Sequence, residues 1–384
     1  MARIVYLPQL NLCRNQSLST CAHDNNIRCA KEVLSNYLGL GFYCRAGLDV
    51  WPWQFESAFW HSHMPQTLIP DMPTTELSFD TATNVTANAL RQTKFDRPWF
   101  VEWSGGIDST AILVAIMKQF DRADYENVTV LLNATSVWEN PDFFTQQIQP
   151  NFRYINSDQF DQDLCCRDHY RIHGDPGDML WGATKGLQAK KDGVDLTGSW
   201  RRRDPRWTQF NDRLFGPEAS EWIWQRMAQN IDSVPQYAIE SVADWYWWLN
   251  FNFKWTQKMV YDLELGHKQI PTNFFASIVP WYAQPIYQQW SMSRGRFSLA
   301  DGGIETYKAE AKNYIFDWDH NTYYHKFKTK FESGSRNLTS TRSSAVWALT
   351  DTLQILDHHD LCRDTALIDL HKNTYDHHQI QTLR

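Results

Sequence analysis

Pro98-Trp99-Phe100-Val101-Glu102-Trp103-Ser104-Gly105-Gly106-Ile107-Asp108-Ser109-Thr110 is the stretch that decides the fold. An aromatic and β-branched run ends in Ser-Gly-Gly. Apolar residues at helical spacing follow, at Ile107, Ala111, Val114, Met117 and Phe120. That order predicts a strand, a tight turn and a helix. Two adjacent glycines let the backbone take positive φ and approach a ligand closely. Their N–H groups and those of the first helical turn form a cradle for an anion. Ser104 and Ser109 add hydroxyl donors. Asp108 sits badly for a bare phosphate but well for one bridged by a metal, so the turn is read as a Mg-nucleotide site.

Ser-Gly-Gly-x-Asp-Ser is neither the G-x-x-x-x-G-K-[ST] loop nor G-x-G-x-x-G. It resembles the pyrophosphate loop of the ATP-pyrophosphatase superfamily, whose members release pyrophosphate from ATP and leave AMP on a substrate. The plain alternative is a glycine turn that merely joins a buried strand to a helix. The strand-turn-helix context favours the nucleotide reading.

Working outward, Phe79–Lys94 is expected to be helical with Asp80 or Thr81 as its cap. Val128–Leu132 is a near-continuous apolar run, as a buried parallel strand requires. Phe152–Ile155 and Tyr170–Ile172 are further strand candidates. Strands spaced by helix-length segments imply an α/β fold, a doubly wound parallel sheet with its ligand at the carboxyl ends of the strands. The fourth strand runs into His173-Gly174-Asp175-Pro176-Gly177-Asp178-Met179-Leu180-Trp181-Gly182. Sheet logic brings this loop to the edge where the first turn lies. Asp178 then faces Asp108 and completes a Mg²⁺ site, because Mg²⁺ takes one or two carboxylates plus phosphate oxygens and water. A helix-capping loop is the alternative.

Residues 183–206 are charged and read as a surface excursion. The second half turns helical and aromatic, through Pro217–Ile231, Gln236–Leu265 and Glu305–Phe316. Lys326, Lys328 and Lys330 are either a solvated face or a place for released pyrophosphate. Ala345–Leu356 reads as a helix followed by a polar tail. Residues 1–80 read as a small α+β cap or an irregular wrap. The expected organisation is an N-terminal segment over 1–80, an ATP-pyrophosphatase domain over 81–340 and a C-terminal helix and tail over 341–384.

The 384 residues carry 19 Trp, 42% hydrophobic residues and a net charge of −7, which describes a globular chain with a sizeable core. The acidic balance, without blocks of like charge, argues against nucleic-acid and membrane partners. An odd count of seven cysteines without C-x-x-C reads as reduced thiols in a cytoplasmic protein. Cys165, Cys166, His169 and His173 invite a zinc reading, but adjacent cysteines ligate one tetrahedral ion poorly.

Four landmarks in order resemble the synthetase domain of the asparagine synthetase family, roughly over residues 80–340. They are Ser104–Ser109, Gly174–Gly182, Val279-Pro280-Trp281 and Lys326–Gly334. The resemblance implies a ligase that adenylates a carboxylate, aspartate by family default, and passes it to an amine with loss of AMP. By position it assigns Asp108 and Asp178 to Mg²⁺. Ser104, Gly105, Gly106, Ser109 and Gly174 fall on ATP and pyrophosphate, and Leu131 and Leu132 on adenine. Lys328 falls on the departing phosphates, and Asp175 on the glutamate linked to the incoming amine. Asp175 is shorter than that glutamate, Pro176 replaces a glycine and Met179 replaces a second acid. Ala follows Met1, where glutamine-dependent members carry a cysteine, and fewer than 100 residues precede the first strand. The nitrogen is therefore expected from free ammonia, a separate glutaminase or an amine on the substrate. The rival readings are an enzyme of the superfamily that modifies a nucleobase or tRNA, and a degenerate nucleotide-binding protein.

Overall fold

The computed structural model describes residues 3–7, 44–47, 68–157, 169–182, 184–215, 217–255, 277–299, 307–328 and 346–350. Five parallel strands form one sheet: β2 (Trp99–Glu102), β3 (Val128–Leu132), β4 (Arg153–Asn156), β5 (Tyr170–His173) and β6 (Ile278–Pro280). Their order is β4-β3-β2-β5-β6. Trp99 is in register with Val128 on one side and Tyr170 on the other. The chain grows outward from β2 in one direction through β4, then returns to lay β5 on the other side of β2. All five carboxyl ends therefore share an edge, and the order reverses between β2 and β5.

Period-two burial fixes the sheet in the core. Trp99, Val101, Val128, Val130 and Ile172 are fully buried, whereas Phe100, Glu102, Thr129 and Arg171 are only half-buried. The helix after β2, α2 (Ile107–Gln119), is buried at every position from Ser109 to Met117. A helix apolar all round belongs in an interior. It packs against α1 (Phe79–Lys94) and against α9 (Ala309–Asp319), a helix late in the chain. The ends of α1 are those the sequence suggests, but Ser78 caps it: its side chain accepts from the Thr81 N–H.

The charged stretch after Gly182 is no mere surface excursion. It forms α4 (Thr184–Lys191), and Trp200 is fully buried with its Nε1 donating to the Ile239 carbonyl at 2.8 Å. α5 (Pro205–Phe215) and α6 (Pro217–Asp232) follow and pack against each other. The stretch from Gln236 does not begin as one long helix. Ala238 takes a left-handed φ of 46°, and Ser241 then caps α7 (Val242–Trp248), which widens into a π-helical segment over Leu249–Lys254. Residues 256–265 lie outside the described residues. The Trp181 and Trp290 rings lie 4.5 Å apart and Phe79 packs on both, which ties the loop after β5 to α1 and to α8 (Pro285–Ser293).

Val346–Thr350 is a strand, β7, rather than the start of a helix, and pairs antiparallel with β1 (Arg3–Leu7). Among the described residues no helix is long and apolar enough to cross a membrane.

Lys185 in α4 gives the fold a pH dependence. Burial, reinforced by repulsion from Lys254, pushes its ammonium from the ordinary 10.5 down to about 7. Between these values the unfolded chain binds a proton that the folded chain lacks, so this group makes stability rise with pH. Lys185→Met is expected to raise the urea midpoint more at pH 6.5 than at pH 9.5. An equal gain at both pH values would show that Lys185 does not titrate in this window.

Candidate active site

The turn after β2 is held by its own side chains. Ser109 Oγ accepts from the Ser104 N–H at 3.1 Å and donates to the Gly106 carbonyl at 3.2 Å. The Ser104 and Ser109 hydroxyls lie 3.1 Å apart, and Ser104 Oγ accepts from the Gly106 N–H at 3.3 Å. Gly106 is the N-cap of α2 and has no side chain to satisfy the first N–H groups, which leaves them for an external acceptor. Gly105 has a φ of +74°, and a Cβ there would stand 2.3 Å from the Ser136 carbonyl oxygen. Both facts demand glycine. Gly105→Ala is expected to cost about 2–5 kcal/mol, from left-handed strain plus overpacking. Urea denaturation measures this, and a loss below about 1 kcal/mol would mean that the turn relaxes freely.

The second loop closes directly on the first. Its Gly177–Met179 segment is a 3₁₀ turn in which the Leu180 N–H donates to the Gly177 carbonyl at 3.0 Å. A Cβ on Gly174 would lie 3.5 Å from the Asp108 Cβ and from the Ser109 nitrogen, and one on Gly177 would lie 3.0 Å from Asp108 Cγ. Asp175 is half-buried on this loop, three residues before Asp178.

Asp108 and Asp178 meet on one cation, and that cation belongs to the protein. Lys308 Nζ lies 2.5 Å from Asp108 Oδ2 and 2.5 Å from Asp178 Oδ1. Its side chain is only 7% exposed. Burial alone would lower the Lys308 ammonium, but Asp108 and Asp178 outweigh it and raise the group above the ordinary lysine range. Burial pushes the Asp108 carboxyl up, against the pull of Lys308. Lys308 is the residue that precedes α9, with a left-handed φ of 58°. Strain of this kind costs about 1–3 kcal/mol and concentrates at functional sites.

The donor set fits a small divalent ion. Two carboxylates from separate loops already grip one cation between them, and Asp108 Oδ1 is buried without a hydrogen-bond partner among the described residues. Oxygen ligands of this kind suit Mg²⁺. No group of three or more His, Cys, Asp or Glu placed to hold a metal occurs among the described residues. Cys165 and Cys166 lie outside them.

Lys328 reaches the same place from another direction. Its Nζ lies 2.6 Å from Glu139 Oε1, and both side chains are buried, so it is no solvated face. Glu139 ends α3 (Ala134–Glu139), the helix after β3, and its Oε1 would stand 3.7 Å from a Cβ on Gly106. Leu132 is buried at the carboxyl end of β3, and Asn133 then caps α3. Lys330 lies outside the described residues.

Two buried tyrosines brace the site. Tyr282, just past Val279-Pro280-Trp281, donates to the Asp108 carbonyl at 2.8 Å. Tyr324 of α10 (Thr322–Phe327) donates to the Gly105 carbonyl at 3.1 Å. Burial raises both hydroxyls above the ordinary range, so they remain neutral donors. Lys312, one helical turn after Lys308, is half-buried and makes no ion pair among the described residues. Burial, then Lys328 and Lys308, lower its ammonium. Lys308, Lys312, Glu139, Tyr282 and Tyr324 carry no local motif. The one available signal was the i, i+4 spacing of Lys308 and Lys312 inside an expected helix.

The fold and the site together define an α/β protein whose central parallel sheet carries, at its carboxyl edge, an uncapped helix start, a pair of cation-holding carboxylates and three lysines. In comparisons with known proteins, no family model, no curated protein and no solved structure matches this chain.

Proposed function

We propose that this chain is an ATP-dependent amide-forming ligase of the asparagine synthetase type, built on a doubly wound sheet with the nucleotide at its switch point. One observation carries this reading: Asp108 and Asp178, from the loops on either side of the strand-order reversal, converge on a single cation beside the Ser104–Ser109 turn. A switch point with an uncapped helix start is where a phosphate chain binds, and paired acids there serve its metal.

A substrate carboxylate oxygen attacks the α-phosphorus, the bond to pyrophosphate breaks and an acyl-adenylate forms. An amine nitrogen then attacks the acyl carbon, AMP leaves with the bonding pair and the nitrogen loses a proton. Mg²⁺, when bound, supplies positive charge to the phosphate oxygens. Asp108 and Asp178 would hold it. The α2 N–H groups with Ser104, Gly105, Gly106 and Ser109 orient the phosphates, and Lys328 meets the charge that develops on pyrophosphate. The reading assigns Leu132 to the adenine and Asp175 to the incoming amine. The nitrogen donor is free ammonia, a separate glutaminase or an amine on the substrate itself.

The test is pyrophosphate and AMP formation from ATP and Mg²⁺, screened over carboxylic acids beginning with aspartate, with ammonia or glutamine supplied. Carboxylate-dependent AMP is the expected product. No binding of ATP by calorimetry in the presence of Mg²⁺ would overturn the reading.

A further inference from the structure

The two carboxylates assigned to the metal are held by a lysine of the same chain, and that lysine makes no other ion pair among the described residues. Lys308 is 5% exposed, and its Nζ is 2.5 Å from each acid. Lys312, one helical turn on, feels the Lys308 charge, which together with burial and Lys328 lowers its own ammonium. An ammonium and a divalent ion sharing the same two oxygens would sit a few ångströms apart, where like charges repel. The pair therefore admits one cation at a time. The left-handed φ of 58° at Lys308 is a strained backbone that this arrangement maintains immediately before α9.

We propose that Lys308 is a tethered placeholder for the divalent ion: it neutralises Asp108 and Asp178 while no nucleotide is bound, excludes free metal, and yields the pair only to a metal that arrives on a polyphosphate. This rests on the ligase reading of the site. The exchange conserves favourable contacts. The carboxylates trade an ammonium for a divalent ion, and the released ammonium gains the phosphate oxygens delivered with it. Free metal offers Lys308 no such partner. Its apparent affinity is reduced by the fraction of molecules in which the lysine is withdrawn.

Mn²⁺ binding, followed by electron paramagnetic resonance with and without ATP, separates the outcomes. Wild-type protein is expected to bind Mn²⁺ weakly alone and tightly with ATP. Lys308→Gln keeps an amide donor between the carboxylates, and Lys308→Met removes it. Either is expected to bind Mn²⁺ without nucleotide about ten- to a hundredfold more tightly than wild type. Adding Asp178→Asn to either variant is expected to abolish that gain, which fixes the ion on this pair. Tight binding of Mn²⁺ by nucleotide-free wild type overturns the placeholder, whatever the variants do. So does a Lys308 variant that folds and gains nothing, or a gain that survives Asp178→Asn. Failure of wild type to bind Mn²⁺ even with ATP strikes the ligase reading itself, so the two failures are distinguishable.

Discussion

Asp108→Asn is expected to lower carboxylate-dependent AMP formation by about 10²–10³ or more while leaving the thermal unfolding curve in place. The two halves of that expectation come from the same charge count. Asp108 and Asp178 share the single ammonium of Lys308. Two negative charges on one positive charge leave the cluster net negative. Asn keeps the shape and one oxygen acceptor, and it leaves Lys308 paired one-to-one with Asp178. Breaking a buried pair is costly when it strands a charge, and here no charge is stranded. Catalysis has no such cushion, because half of the carboxylate charge available to the metal is gone and the buried Oδ1 that lacks a partner goes with it. Product assays for AMP and pyrophosphate, run beside a thermal melt, measure both halves. Normal turnover refutes the metal assignment. Collapse of the fold shows that the Asp108–Lys308 contact is structural first.

The parts of this site that were legible in the sequence are those in which one short segment makes both the structure and the chemistry. Ser104–Ser109 is such a segment: a buried strand, a glycine that must be left-handed and a helix start lie within a dozen residues, and local preference and tertiary placement agree. Asp178 was legible one step further out, because parallel strands put all their exit loops at one edge. Lys308 was not. Its ammonium reaches the site from a chain position 200 residues beyond Asp108, and nothing adjacent to it in sequence marks the encounter. Lys328 was expected among phosphates, but its buried partner Glu139 comes from another loop and was not foreseen. Where the fold differed from expectation, local signals competed. Val346–Thr350 is a short apolar run whose period does not separate helix from strand, and pairing with Arg3–Leu7 decides it. The long aromatic stripe from Gln236 is helical only after Ser241, whose side chain accepts from the Asp244 N–H while Asp244 accepts in return. That reciprocal cap was written in the sequence and outvoted by the stripe.

Lys328→Ala is expected to lose both activity and stability, and the two losses are separable. Lys328 and Glu139 are buried at 2.6 Å from one another, and Lys328 is the ion partner of Glu139 among the described residues. Truncating the lysine strands a buried carboxylate, at a cost of about 3–5 kcal/mol. It does so against the Ser104–Ser109 turn, since the Glu139 Cβ would lie 2.7 Å from a Cβ placed on Gly105. Inactivity of this single variant would therefore say little about chemistry. Lys328→Met combined with Glu139→Gln removes both charges and keeps the volume. Replacing a buried ion pair in this way is often neutral for stability. The double variant is expected to recover the urea midpoint of the wild type and to remain about 10²–10³-fold slower in pyrophosphate release, because the Lys328 cation no longer meets the departing phosphates. If it recovers both, Lys328 serves only to neutralise Glu139, and charge stabilisation at that end of the site falls to Lys308 and Lys312. If it recovers neither, the pair is needed for the α3 loop to seat against Gly105, and the cost lies in geometry rather than in charge.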